Sequence, residues 1–503
     1  MKVILFNPPA PGGRGFTREG RCTQEAGVWA SQWPPVTLAT AAAFLAADGH
    51  EVHGVDFPAR GLTVRDLAAR IAALRPDAAF WTTGTPTLAH DLHLAALVKA
   101  ASPETLTAVL GTHVSVMPGE VLENSAVDVV IRGEPEGVIR ELCRRDRGPV
   151  APAAAWPLSE IAGISYRGTA GTVVHNPDGG WLPPAEIPAP AWEYFDLTPY
   201  RLPLSGRPFL IVAPVRGCPY RCSFCTAPVY YGRKLRKRPV EKVVAEIAAA
   251  VSRFGVREFF VWADTFTADR DYVQRFCTAL LAADLRITWT CNSRVDTIDG
   301  ATLALMKKAG LWMISFGLES GDDGILAAAG KRITTAASRR AVRLAREAGV
   351  RTAGHFILGL PGETEATMAA TLRLACELPL DIAQFYAAAP FPGTRLHDEA
   401  RARGWLQTPD SGTPAAGAAG LGAAPPRGAG PVKPDKFSPF SQNSAVLELP
   451  GLPAARVDAF RRRAYRTFYG RPRIIAGLLA MAEPAAALHL AAGLRRFFRW
   501  AQR

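Results

Sequence analysis

The sequence predicts an α/β protein: an N-terminal doubly wound parallel sheet, then a six-unit partial β/α barrel, then a small helical C-terminal tail. Three observations predict it. Short β-type runs alternate with helical patterns through residues 1–150. The same alternation resumes at Phe209 and runs through six repeats. A low-complexity stretch then separates the last repeat from an Arg-rich tail. Strands alternating with helices in this way form parallel sheets covered by helices.

In the first region, Val3–Phe6 reads as a buried strand and Val36–Ala47 as a helix stopped by Asp48-Gly49. Strands follow at Glu51–Asp56 and Ala78–Thr82, a helix at Leu92–Ala100, and strands at Thr107–Leu110 and Val127–Ile131. Ligands of such sheets sit beyond the carboxyl ends of the strands. Those ends carry Asn7-Pro8-Pro9, Asp56-Phe57-Pro58, Thr83-Gly84-Thr85-Pro86, Gly111-Thr112-His113 and Arg132-Gly133-Glu134.

Residues 151–205 are rich in proline and read as a connector, with a hairpin from Ile164-Ser165-Tyr166 back to Val173-Val174. In the barrel region, 206–400, strands are expected at 209–213, 258–262, 287–291, 312–316, 354–358 and 382–387. Helices are expected at 240–253, 271–282, 300–308, 335–348 and 364–377. A closed eight-unit barrel takes about 250 residues, so six units leave an open side for a substrate or another domain. The Ala/Gly/Pro stretch Thr408–Lys436 cannot offset its ordering entropy and is expected to be disordered. Residues 437–503 form the helical tail.

Length and composition bound the function. A chain of 503 residues suggests about three domains. With 48% hydrophobic and 20% charged residues it is not a disordered chain. The net charge of +13 admits anionic partners, whether nucleic acid, lipid headgroups or phosphorylated substrates. Eight cysteines are too sparse for a disulfide-stapled secreted scaffold. The apolar run Val3–Phe6 is too short for a signal-peptide core and meets Pro8-Pro9. A cytoplasmic location is therefore expected.

The chemistry is concentrated in Arg216-Gly217-Cys218-Pro219-Tyr220-Arg221-Cys222-Ser223-Phe224-Cys225. This C-x3-C-x2-C motif falls in the loop after the first barrel strand, on the face where such barrels do chemistry. Three thiolates on one loop can bind three irons of a cubane cluster. The fourth iron then stays open to a substrate or cofactor. Structural zinc needs four protein ligands, and no Cys or His lies nearby to complete the set. Cys22, Cys143, Cys277, Cys291 and Cys376 have no partner spacing and read as buried or incidental, although the loop of Cys22 is expected to face the N-terminal domain's ligand. His355, expected near the start of the fifth barrel strand, reads as buried structure.

These residues resemble the radical S-adenosylmethionine (SAM) superfamily, and the chain resembles its cobalamin-binding branch over about 400 residues. Further matching segments are Leu110-Gly111-Thr112-His113 with Pro118-Gly119-Glu120-Val121-Leu122, and Val130-Ile131-Arg132-Gly133-Glu134. The barrel adds Trp262-Ala263-Asp264-Thr265-Phe266-Thr267, Ser293-Arg294-Val295-Asp296 and Ser315-Phe316-Gly317-Leu318-Glu319-Ser320. It also adds Phe356-Ile357-Leu358-Gly359-Leu360-Pro361-Gly362-Glu363-Thr364 and Pro390-Phe391-Pro392-Gly393-Thr394. The resemblance implies that the first sheet is a cobalamin-binding domain and the barrel a radical SAM domain. It implies a [4Fe-4S] cluster on Cys218, Cys222 and Cys225, with SAM chelating the open iron and cleaved to a 5′-deoxyadenosyl radical. Phe224 would lie near the adenine. Asp264, Arg294 and Glu319 would hold polar groups of SAM, or else form a salt-bridge network tying barrel units together. Gly359 would leave room near the adenine.

Many cobalamin domains carry a cobalt-ligating histidine in Asp-x-His-x-x-Gly after the first strand. Here that loop spans Pro8–Pro34, and the first histidine of the chain is His50. The resemblance still implies cobalamin, with Thr83, Thr85 and Gly111 lining the groove for its nucleotide tail. His113 and Glu134 either contact corrin amides or cap loops.

The expected function is a cobalamin-dependent radical SAM methyltransferase acting on an unactivated carbon of a biosynthetic intermediate. A cyclase or rearrangement enzyme with the same cofactors is the first alternative. A tRNA-modifying radical SAM enzyme is the second, disfavoured because no RNA-binding module follows the barrel. The expected partners are a small-molecule or lipid-like substrate and a flavodoxin- or ferredoxin-type electron donor. The apolar stretch Ile474–Leu494, flanked by arginines, reads as helices docked on the barrel or as a peripheral anchor on the inner membrane face.

Overall fold

The computed structural model describes residues 1–10, 16–19, 22–25, 32–144, 156–168, 171–406, 444–483 and 486. The Thr408–Lys436 stretch and most of the tail beyond Met481 lie outside the described residues.

The first sheet contains β1 (Lys2–Asn7), β4 (Glu51–Asp56), β5 (Ala78–Thr82), β6 (Leu106–Leu110), β7 (Val129–Ile131), β8 (Ile164–Arg167) and β9 (Val173–His175). Its order is β4-β1-β5-β6-β7-β8-β9, parallel through β7. β1, β5 and β6 are apolar on both faces because helices cover both. The direction of winding reverses between β1 and β5, which opens a crevice at their carboxyl ends. The hairpin expected in the connector is present as β8 and β9. It extends this sheet antiparallel to β7 rather than standing apart. Inside the long loop after β1, a further hairpin pairs β2 (Phe16–Glu19) with β3 (Cys22–Glu25). Cys22 lies in β3, and its side chain is outside the described residues.

The second sheet is wholly parallel: β10 (Phe209–Val212), β13 (Glu258–Val261), β14 (Thr288–Ser293), β15 (Leu311–Glu319), β16 (Arg351–Leu358) and β17 (Ile382–Ala387). A short antiparallel pair, β11 (Val215–Arg216) with β12 (Arg236–Lys237), brackets the cysteine loop. The barrel helices start where the sequence supplies acceptors. Asp269, Asp299, Asp322, Thr334, Thr364 and Thr394 each accept from the backbone N–H three residues on. Such caps satisfy donors that a helix leaves unpaired.

The barrel does not close: β10 and β17 are both edges. Helix Ala454–Tyr469 packs across β17 and supplies polar groups in place of a seventh strand. The Tyr469 hydroxyl accepts from Ala383 N–H (3.2 Å) and donates to Ala383 C=O (2.8 Å). The Tyr465 hydroxyl accepts from Phe385 N–H (3.2 Å). An unpaired strand edge buried under a helix would otherwise strand these backbone groups. At the amino end of the strands, Leu204, Ala353 and Ile382 pack with Met313, Leu478 and Met481 and close the floor. Helix Pro472–Met481 thus docks on the barrel, with Ile474 buried. It stops before Glu483-Pro484, as the sequence suggests. Among the described residues, no helix is long and apolar enough to cross a membrane.

Replacing Tyr469 by Phe keeps the ring but strands two backbone groups. It should lower the unfolding free energy by about 1–3 kcal/mol, read as a shift in the urea midpoint. An unchanged midpoint would show that the edge does not need the hydroxyl.

Candidate active site

The cysteine loop is held from three sides. Gly217, with φ +88°, passes so close to the Lys234 carbonyl that a Cβ would collide with it. Its N–H donates to Asp264 Oδ2 at 3.0 Å. Cys218 N–H donates to the Gly232 carbonyl, and Cys218 Sγ lies 3.2 Å from Thr265 Oγ1. Further along, Ser223 N–H reaches the Ala329 carbonyl, and Leu396 N–H reaches the Ser223 carbonyl. The loop's conformation is therefore set by the ends of β13 and β15 and by the segment after β17.

Cys218 is buried, and Cys222 and Cys225 are half-buried. Burial pushes the Cys218 thiol up and the Cys222 thiol to about 11. Without iron these thiols stay protonated, and iron binding must displace the protons. Among the described residues, no three Cys, His, Asp or Glu converge on one metal ion. A cubane does not ask for that, because each thiolate binds a different iron. The donor set fits a cluster with one open corner.

Around the loop, Arg294 makes a bidentate pair with Asp296 (2.9 Å twice), donates to the Lys331 carbonyl (2.9 Å), and lies 3.6 Å over the Tyr220 ring. Lys331 Nζ donates to Glu319 Oε1 at 2.7 Å, both buried. Glu319 has φ +60° at a register shift in β15. A non-glycine residue in that region stores strain, which is typical of functional positions. The structure thus brings Phe224, Asp264, Arg294 and Glu319 to the cysteine end of the barrel. It also gives Asp264 and Arg294 the task of anchoring the loop.

Gly359 has a neighbour of its own within the protein. Its φ is +84°, and a Cβ there would meet Val457 of helix Ala454–Tyr469 at 3.1 Å. The missing side chain makes room for that helix.

On the first sheet, Thr83, Thr85, Gly111 and His113 gather at the carboxyl ends of β5 and β6. A Cβ on Gly111 (φ +144°) would collide with the Thr83 carbonyl. Thr83 Oγ1 donates to Asp91, which also pairs with Arg18 from β2. His113 Nδ1 lies 3.0 Å from Thr85 Oγ1. Burial, helped by nearby His397, pushes His113 down to about 4, so its ring is neutral at pH 7. A crevice with close backbone approach at Gly111 and a neutral polar wall fits the amide-edged corrin and its nucleotide tail.

Glu134 requires a correction. It does not face that crevice. Its Oε1 pairs with Arg216, and its Oε2 accepts from Arg236 (2.8 Å) and from Leu182 N–H (3.1 Å). Arg216 also pairs with Glu136 at 2.7 Å. The side chains of Glu134 and Glu136 are 1% and 0% exposed, and that of Arg216 is 4%. This buried four-residue network joins the first sheet to the residue two before Cys218. Sequence reading missed Glu136, Arg216 and Arg236; the one signal was that Arg216 lies two residues before Cys218.

His355 is a second correction. It sits mid-strand in β16, half-buried, on the barrel's inner face beside Tyr386. Among the other cysteines, Cys143, Cys277 and Cys291 are buried and Cys376 is half-buried.

The two carboxyl faces meet. Helix Thr112–Val116, after β6, packs on helix Ala227–Tyr231, which follows Cys225. A Cβ on Gly393 would meet Val116 at 2.7 Å and Val229 at 3.0 Å. Trp33 from the loop after β1 lies edge-on to Phe260 of β13, with centroids 5.1 Å apart. A cysteine-lined metal loop facing a doubly wound sheet's ligand crevice defines a two-cofactor enzyme.

Comparison with known proteins agrees. Residues 212–375 match the radical SAM superfamily, and residues 26–143 match the B12 binding domain. An uncharacterized methyltransferase of Pyrococcus horikoshii is 29% identical over 477 residues, covering 94% of both chains. The anaerobic magnesium-protoporphyrin IX monomethyl ester cyclase of Rubrivivax gelatinosus is 30% identical over 378 residues, covering 74% of this chain and 67% of that one. The solved methyltransferase TsrM of Kitasatospora setae, with cobalamin and a [4Fe-4S] cluster bound, shares the fold. Its TM-score is 0.68 at 18% identity, covering 100% of this chain and 97% of that one. The chain belongs to the cobalamin-binding radical SAM family. It is a radical SAM enzyme whose cofactors are a [4Fe-4S] cluster, SAM and cobalamin.

Replacing Glu136 by Gln leaves Arg216 short of one buried charge partner. It should cost about 3–5 kcal/mol in the cofactor-free protein, measured by urea unfolding. The double change Arg216→Met with Glu136→Leu keeps the Glu134–Arg236 pair and should recover most of that loss. Equal losses in both variants would contradict the network.

Proposed function

We propose that the enzyme methylates an unactivated carbon of a small biosynthetic intermediate held between the two carboxyl faces. The observation that carries this reading is their juxtaposition, with helix Thr112–Val116 against helix Ala227–Tyr231. The relative from Pyrococcus horikoshii, matched along almost its whole length, supports methyl transfer.

When bound, the three cofactors supply radical generation and a transferable methyl group. Cys218, Cys222 and Cys225 hold the cluster, and Gly217 and Asp264 fix their loop. Glu319 and Arg294 orient the polar groups of SAM, with Lys331 holding the Glu319 carboxylate and Asp296 the Arg294 guanidinium. Phe224, on the cysteine loop, would pack against the adenine of bound SAM. Thr83, Thr85, Gly111 and His113 line the corrinoid groove. The closed barrel floor keeps water from entering behind the substrate. A flavodoxin- or ferredoxin-type protein delivers the electron.

The Rubrivivax relative supports a second reading, ring closure without methyl transfer. Product counting separates the two, because methylation releases S-adenosylhomocysteine alongside 5′-deoxyadenosine.

Ile475 and Leu479 are 46% and 70% exposed on the docked tail helix and support a peripheral membrane contact. Cosedimentation with anionic vesicles checks it, and a protein that stays in the supernatant would remove the contact.

After anaerobic reconstitution the protein should hold about one cubane cluster and one corrinoid. Replacing Cys222 by Ala should abolish 5′-deoxyadenosine formation and leave corrinoid binding in place. Undiminished 5′-deoxyadenosine from that variant would refute the assignment.

A further inference from the structure

The outer side of the cysteine loop carries a patch that the chemistry inside the barrel does not use. Within the loop, Pro219 and Arg221 are exposed while Cys218 is buried. Three more exposed cations adjoin this backbone. Arg233 donates to the Tyr220 carbonyl (3.4 Å), and the Lys234 carbonyl lies against Gly217. Arg395 donates to the Ala328 carbonyl (3.0 Å). A Cβ on Gly330 would meet the Arg221 carbonyl at 2.8 Å and the Arg395 guanidinium at 3.7 Å, so the two arginines share one strip of surface. Among the described residues, none of Arg221, Arg233, Lys234 and Arg395 pairs with a carboxylate. Two carboxylates of the same region are already taken, Asp296 by Arg294 (2.9 Å) and Asp178 by Arg132 (2.6 Å).

Trp181 lies at one end of this strip. Three large apolar side chains are exposed among the described residues; two are on the tail helix, and the third is Trp181, at 45%. Its ring is held in place. Arg236 lies over it at 4.8 Å, and a Cβ on Gly232 would meet it at 2.8 Å. The Gly232 carbonyl in turn accepts from the Cys218 N–H (3.1 Å). A fixed, exposed aromatic thus touches the residue that is hydrogen-bonded to a cluster ligand. Tryptophan and arginine are enriched in protein interfaces, and an exposed apolar surface rimmed by charge marks a contact site.

We propose that Trp181, Arg221, Arg233, Lys234 and Arg395 dock a small acidic one-electron donor protein of the flavodoxin type. This rests on the reading that such a protein reduces the cluster, and it names the surface that receives it. One electron leaves the partner's reduced flavin and enters the oxidised cluster; no bond forms or breaks, and no other reactant takes part. The cations attract and orient an acidic face. Trp181 adds apolar contact beside a hydrogen-bonded route to Cys218. A patch of this size suits the small interfaces of transient redox encounters. RNA, the other polyanion that the net charge of +13 admits, is held by longer basic stripes with several stacking aromatics.

The test uses cofactor-loaded full-length protein and a recombinant acidic flavodoxin. Isothermal titration should show binding that weakens about tenfold or more as ionic strength rises from about 0.05 M to about 0.5 M. At low salt, Arg233→Glu with Arg395→Glu should weaken it about tenfold or more, and Trp181→Ala about tenfold. Arg340→Glu with Arg343→Glu makes the same change of charge at exposed positions of helix Thr335–Glu347 and should leave binding unaltered. Cluster reduction, followed by bleaching of the visible absorbance, should slow in the patch variants when flavodoxin is the reductant. It should not slow with photoreduced 5-deazaflavin, a small neutral reductant that needs no docking. Absence of binding, binding that ignores salt or survives either patch variant, or an equal loss in the Arg340/Arg343 control overturns the proposal. So does a patch whose variants lose tRNA retention and keep flavodoxin binding. If Trp181→Ala does not load cofactors, the charge variants decide. A cluster that neither reductant reduces contradicts the enzyme assignment, whereas one that deazaflavin reduces while flavodoxin ignores the patch contradicts only the docking surface.

Discussion

The buried network of Glu134, Glu136, Arg216 and Arg236 is the constraint on which the arrangement of the two cofactor sites depends. Four charges out of water are costly singly and tolerable only as a satisfied set. The glutamates belong to the end of the first sheet and the arginines to the strands that bracket the cysteine loop. A shift of one domain against the other would strip these charges of partners in a dry environment. The network therefore sets the separation and angle between the corrinoid crevice and the cluster loop, which radical chemistry shared between two cofactors requires.

The cysteine loop shows the same logic at smaller scale. A three-ligand loop has one ligand fewer than a structural metal site, so its shape must come from the protein. Gly217 gives it close backbone approach, Asp264 holds its first N–H, and Arg294 clamps Tyr220 from above. Residues that resemble cofactor contacts by position thus also hold the backbone that presents the cluster. The open barrel side is handled differently. Tyr465 and Tyr469 answer the unpaired groups of β17, which leaves the interior accessible from the cluster end and closed at the other.

Much of this was legible in the chain. Alternating runs placed both sheets, and the C-x3-C-x2-C spacing placed the metal loop. Strand ends placed Thr83, Thr85, Gly111 and His113 on one crevice, because carboxyl ends of parallel strands converge whatever the sequence between them. The hairpin of β2 and β3 was hidden in a loop whose short polar strands lack an apolar alternation. Gly359 was read from its motif, yet the neighbour that needs the space, Val457, lies almost a hundred residues away.

Sequence alone determined the fold class and the cysteine triad, because both follow from local period or ligand spacing, while the two-cofactor character was implied by the resemblance to the cobalamin-binding radical SAM family. Tertiary structure decided which charged residues face ligand and which face one another. Glu134 ends a strand like its neighbours, but two arginines from the other domain claim both its oxygens. His355 reads as one more strand residue until β17 places Tyr386 beside it. The physical reason is common to both. A polar side chain's role is fixed by the partner that desolvates it, and that partner is brought by folding from a distant part of the chain.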